Sequence, residues 1–108
     1  MGQNEEIDAC LPQYQREGVA VTESEYILRV KNCRCVICWY KLGVKTSPCD
    51  AHHVGTGNEH NDFATVALCK EHHQGATGVH GKHRKAFHLL WNTSDILLLA
   101  WTVKEVMR

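Results

Sequence analysis

Two pairs of metal-ligand side chains, Cys35-Val36-Ile37-Cys38 and Cys69-Lys70-Glu71-His72, constrain this chain more than any other feature. Two intervening residues let a tight turn bring both donors of a pair to one ion, so Cys35, Cys38, Cys69 and His72 complete a tetrahedral zinc site. About thirty residues separate the pairs, an interval that a hairpin fits. Buried cysteine acting as a small apolar residue explains neither the paired spacing nor the histidine. Cys33 is an alternative to Cys35, Cys49 is an alternative to one of the four, and Cys10 is a spare thiol.

A chain of 108 residues makes one domain and buries only a modest fraction of its surface, which gives a metal staple its value. Its 6 cysteines would suit disulfides, but no charged start followed by an apolar run marks a secretory signal. Of its 8 histidines, five fall between residues 52 and 73, which favours metal over cystine. The expected compartment is therefore a reducing cytoplasm. The longest apolar stretch, Ile96 to Trp101, is too short to span a bilayer, so no membrane partner is expected.

The formal net charge is zero, yet it is unevenly spread. Residues 1–25 carry six acidic side chains against Arg16, five net negative, whereas residues 26–90 carry nine basic against four acidic, five net positive. The candidate site lies in the basic segment, as a nucleic-acid partner requires.

Residues 1–21 lack periodicity and contain Gly2, Pro12 and Gly18, so they read as a mobile arm ahead of a domain over 22–108. Thr22-Glu23-Ser24-Glu25 forms a capping box for a helix to Lys31 that buries Tyr26, Ile27 and Val30. Cys33 to Tyr40 reads as a knuckle turn. Cys49–Val54 and Thr65–Leu68 read as two strands of a hairpin with a loop of about ten residues, a length that usually carries function. A short helix from Cys69 ends near Gly75 or Gly78, and Val79-His80-Gly81 is extended or a turn. Lys82 to Trp91 is helical, with Ala86, Leu89 and Leu90 at core spacing, and Asn92 supplies the left-handed terminator. Thr93 or Ser94 then caps a helix to Met107 whose Ile96, Leu97, Leu99, Ala100, Val103 and Val106 must pack on the domain.

The histidines outside the zinc set carry the chemistry. Successive residues of a strand face opposite ways, so His52 can ligate a divalent cation while His53 faces away and takes a proton from water. Imidazole suits that second role because it titrates near neutrality. His73 turns about 100° from His72 on a helix and meets the same cation as His52. His80 is a third ligand or a phosphate contact. Lys82, Arg84 and Lys85 make a phosphate-contact patch beside it, and His60, His83 and His88 read as solvated.

Taken together, Thr22-Glu23-Ser24-Glu25, Cys35-Val36-Ile37-Cys38, Ala51-His52-His53-Val54, Leu68-Cys69-Lys70-Glu71-His72-His73, Val79-His80, Lys85-Ala86-Phe87-His88-Leu89-Leu90 and Ser94-Asp95-Ile96-Leu97-Leu98-Leu99 resemble the HNH superfamily of nucleases. The resemblance is closest to the Ref-like, RecA-dependent phage nucleases, and it covers about residues 22–107. It implies an α+β fold with a small zinc-stapled ββα-metal, treble-clef-like core and flanking helices. It further implies a phage or prophage endonuclease that acts in recombination in the bacterial cytoplasm, hydrolysing DNA with Mg²⁺, Mn²⁺ or Zn²⁺ at the active site and partnering a RecA filament. Two positions depart from the pattern. Ala64 stands where many HNH proteins place an asparagine, with Asn58 or Asn61 as substitutes, and the arm is short and acidic rather than long and basic. The rival reading is a non-catalytic zinc module that binds nucleic acid or a recombination protein.

Overall fold

The computed structural model describes residues 21–108, so the mobile-arm reading of residues 1–21 and the spare thiol Cys10 fall almost wholly outside the described residues. In chain order the elements are α1 (Glu23–Lys31), α2 (Val36–Leu42), β1 (Asp50–His53), a 3-10 turn (Gly57–Glu59), β2 (Thr65–Leu68), α3 (Lys70–Gln74), α4 (Val79–Lys82), α5 (Arg84–Trp91) and α6 (Asp95–Val106). This is a small α+β fold around a two-stranded sheet.

Local chemistry sets the first boundaries. The Thr22 hydroxyl accepts from the Glu25 amide at 3.1 Å while the Glu25 carboxylate accepts from the Thr22 amide at 2.9 Å, the reciprocal cap expected of this stretch. Gly43, at φ 69°, ends α2, and Asn92, at φ 55°, ends α5 in the left-handed conformation its side chain tolerates. The Ser94 hydroxyl caps α6 through the Leu97 amide.

The antiparallel strands pair Asp50 with Leu68, Ala51 with Ala67, His52 with Val66 and His53 with Thr65. Every residue of β2 is buried, because helices cover both its faces. The Ala67 amide donates to the Thr102 hydroxyl of α6 at 3.2 Å, which blunts an otherwise open strand edge. Val30, Val36, Ile37, Val66, Leu68, Phe87 and Leu98 form the centre of the core.

Several expectations need correction. The knuckle continues as a true helix through Leu42, and of the two readings of Val79-His80-Gly81, extended or a turn, the segment is a single helical turn over Val79–Lys82. Close approach of backbone to backbone explains that turn: a Cβ on Gly78 would collide with the Glu71 carbonyl, and one on Gly81 with the Gly75 carbonyl. Leu89 and Leu90 face outward, Leu89 at 76% exposure, since Phe87 fills the place under α5. Ile96, at 81% exposure, and Val103 also face outward, and the buried stripe of α6 is Leu98, Thr102 and Glu105. That stripe wins because its polar members find partners. Glu105 takes Arg34 at 2.7 Å and the Tyr40 hydroxyl at 2.9 Å. Among the described residues no helix is long and apolar enough to cross a membrane.

Candidate functional site

The two Cys-led pairs share one construction. Cys35 is the N-cap of α2 with Cys38 three residues on, and Cys69 is the N-cap of α3 with His72 three residues on. The N-cap and third helical side chains are neighbours for the same reason that a capping box closes. Cys35, Cys38, Cys69 and His72 are all buried and converge. Cys38 and Cys69 sulfurs stand 3.8 Å apart, and His72 Nδ1 lies 3.6, 3.5 and 3.3 Å from the sulfurs of Cys35, Cys38 and Cys69.

Those distances fit one tetrahedral ion. Zn–S of about 2.3 Å and Zn–N of about 2.0 Å put S···S near 3.8 Å and S···N near 3.5 Å, whereas a disulfide needs about 2.05 Å. Burial pushes the Cys35 and Cys38 thiols up and the His72 imidazole down. A bound cation reverses the thiol preference, since a coordinating thiol is held as thiolate. The cluster thus suits a closed structural zinc site. Cys33 and Cys49 stand outside it, donating their thiols to the carbonyls of Arg29 and Thr46, and burial pushes the Cys49 thiol up to about 12.

His73 leaves the zinc set in the direction the helix dictates. It converges with His52 of β1 and His80 of α4, with ring centroids 5.2 Å (His52–His73), 5.1 Å (His52–His80) and 4.8 Å (His73–His80) apart. Burial first, then the neighbouring imidazoles of His73 and His80, push the His52 pKa down to about 4, so it is a neutral donor at neutral pH. His73 Nδ1 hydrogen-bonds the Asp50 carboxylate at 2.9 Å, which orients the ring and leaves Nε2 for an ion.

His53 pairs through Nε2 with the Asp62 carboxylate at 2.8 Å and stacks on His60 at 4.2 Å between centroids. A carboxylate only accepts, so Nε2 carries the proton, and in the neutral ring Nδ1 keeps its lone pair. His52, His53, His80, His83, Arg84 and Asp95 line one open cleft of about 420 Å³. Arg84 reaches Asp95 at 3.4 Å and is half exposed, Lys85 is exposed and Lys82 is partly so. His83 stays exposed, and His88 is not solvated. It spans Thr93 and Asp95, at 2.8 Å each, and pins the corner between α5 and α6.

Asp50 and Asp62 are the residues to which no motif pointed, and His60, read as solvated, is exposed yet stacks on His53. Asp50 had a local signal, because residues two apart on a strand share a face, whereas Asp62 is brought to His53 only by the hairpin register. Ala64 uses its backbone carbonyl to accept the Val54 amide at 3.0 Å, and Asn61 braces the loop through the Phe63 amide at 2.8 Å. Comparison with protein-family models, with curated proteins and with solved structures finds no match for the chain.

Proposed function

We propose that the chain is a metal-dependent DNA endonuclease of the HNH type that hydrolyses phosphodiester bonds. The observation that carries this reading is the convergence of His52, His73 and His80 at a cleft that His52 and His80 line together with His53, itself oriented by Asp62. His52, His73 and His80 would hold the cation. An all-imidazole set suits Zn²⁺-like ions better than Mg²⁺, which needs substrate oxygens to complete its shell. Once bound, a divalent cation supplies charge stabilisation at the scissile phosphate and the leaving oxygen.

The chain's own residues do the rest. His53 accepts a proton from water at Nδ1, while Asp62 holds the ring and stabilises the imidazolium that results, as the acid of a histidine–acid pair does. Arg84 lines the cleft, Lys85 lines the adjoining cavity that also contains Arg84, and Lys82 precedes them in the chain; the three contact phosphates flanking the cut. DNA is the substrate, a RecA filament the proposed partner, and the cytoplasm of a bacterial host the proposed setting.

A cleavage matrix tests this. Linear duplex, single strand, displacement loop and four-way junction are incubated with Mg²⁺, Mn²⁺ or Zn²⁺, with and without RecA. Wild type cuts, and His53→Ala loses about 10²- to 10⁴-fold in rate with folding and zinc content intact. Normal cutting by His53→Ala removes that residue from the mechanism. Binding without cutting under every condition leaves a zinc-stapled binding module.

A further inference from the structure

We propose that His53, His60 and Asp62 form a second, solvent-open site for Zn²⁺ or another imidazole-seeking divalent ion, and that filling it disables His53 as a base. Two imidazoles and one carboxylate are a donor set of the kind zinc enzymes use, with positions left for water. Their ligand atoms already lie within 4.8 Å of one another. A tetrahedral ion with bonds near 2.0 Å holds its ligands about 3.3 Å apart, so closure requires at most about 1.5 Å of movement. The exposed His60 ring supplies that movement at little cost.

The surrounding loop is braced for the purpose. The Asp62 carbonyl accepts the Thr65 hydroxyl at 3.1 Å, and the Ala64 amide donates to the Asn61 carbonyl at 2.9 Å. The His60 amide returns to the Gly57 carbonyl at 3.2 Å. Asp62 and His53 side chains are 36% and 34% exposed, so an ion enters and leaves without unfolding anything, unlike one at the Cys35–His72 cluster.

The consequence for His53 follows from its two ring nitrogens. In the ion's absence Nε2 carries the proton that Asp62 accepts. An ion binds Nε2 only as the Nε2 proton leaves to solvent and frees that lone pair; Nδ1 takes a proton from solvent in exchange, so the ring stays neutral with its tautomer reversed. Nδ1 then has no lone pair for water. Zinc would act as an inhibitor at this site even where a cation at His52, His73 and His80 supports cutting. Mg²⁺, which prefers oxygen ligands, would not compete.

The site itself stands independently of the nuclease reading, and only the inhibitory consequence rests on it. Zn²⁺ is titrated into the full chain already loaded at its cysteines, with bound ions counted by elemental analysis. His60→Ala binds one ion fewer than wild type, and so does Asp62→Asn. His52→Ala also loses one, and the double variant His52→Ala/His60→Ala loses two. An unchanged count in His60→Ala overturns the proposal. Long-range proton–nitrogen NMR of the ring then reads the tautomer: zinc moves the His53 proton from Nε2 to Nδ1 in wild type but not in His60→Ala. A His53 tautomer indifferent to zinc sinks the inhibitory mechanism whether or not DNA is cut.

Discussion

Asp50 illustrates what a single side chain contributes to this cleft. It lies two residues before His52 on the same strand and holds His73 Nδ1 at 2.9 Å, so it presets a ligand donated by another element. Losing such an outer partner costs about 10- to 100-fold in metal affinity. Asp50→Ala is therefore expected to weaken Co²⁺ binding at His52, His73 and His80 by that factor, with the thiolate-to-cobalt absorption of the cysteine site unchanged. Equal affinity in the variant removes Asp50 from the site. The convergence of both clusters was legible from sequence because residue type and short spacing point to it: Cys-x-x-Cys and Cys-x-x-His for the buried Cys35, Cys38, Cys69 and His72, and adjacent histidines split by a strand or a helix for His52 and His73. Asp62 was not legible, because it stands nine positions after His53 across a loop and only the register of β1 on β2 decides that they meet.

At the level of elements, the boundaries marked by caps and by apolar period were readable, and the faces were not. Thr22 and Ser94 announce α1 and α6, but the inward stripe of α6 is chosen by Thr102 and Glu105, whose partners are the Ala67 amide of β2, Tyr40 of α2 and Arg34 just ahead of α2. Burial raises the Glu105 carboxyl, and the hydrogen bonds from Arg34 and Tyr40 outweigh it, so the net pKa is below the ordinary carboxylate value. Its stabilisation is thus fully present above about pH 4.3, the unfolded range, and is lost as pH falls through the lower folded value. Glu105→Gln should cost about 2 to 3 kcal/mol in zinc-saturated urea unfolding at neutral pH, because Arg34 is left without its counter-ion. The gap should hold steady down to about pH 5 and narrow only below the usual carboxyl range. A gap that closes at neutral pH refutes the pairing as its source. The junction of α4 and α5 carries the opposite kind of residue: His83 sits at φ 67°, ψ 158°, a region suited to glycine. His83→Gly should raise stability by about 1 kcal/mol by urea midpoint. A lower midpoint would mean the imidazole itself holds the junction.

For the whole molecule, the buried Cys35–Cys38–Cys69–His72 cluster, suited to one structural zinc ion, is the decisive feature. The Cys35–Cys38 pair starts α2 and the Cys69–His72 pair starts α3, so a zinc ion between them joins the two halves of the chain across the hairpin. Structural zinc contributes on the order of 10 kcal/mol or more to folding, against total stabilities of about 5 to 15 kcal/mol for domains generally. With zinc in that cluster, loss of the ion is therefore expected to be loss of the fold. The His52, His73 and His80 cluster has no comparable role, since these residues stand on elements that are already packed and none of them is fully buried. Chelation should accordingly act in two stages. A mild chelator strips the His52–His73–His80 cation and leaves the far-ultraviolet circular dichroism unchanged, whereas a chelator strong enough to take zinc from thiolates unfolds the domain cooperatively. Cys38→Ala should reproduce the second stage without any chelator, while Cys33→Ala, outside the cluster, should leave zinc content at wild-type level. A Cys38→Ala chain that folds normally in zinc-free buffer would show that apolar packing alone holds this core, and the convergence of histidines would then need another cause.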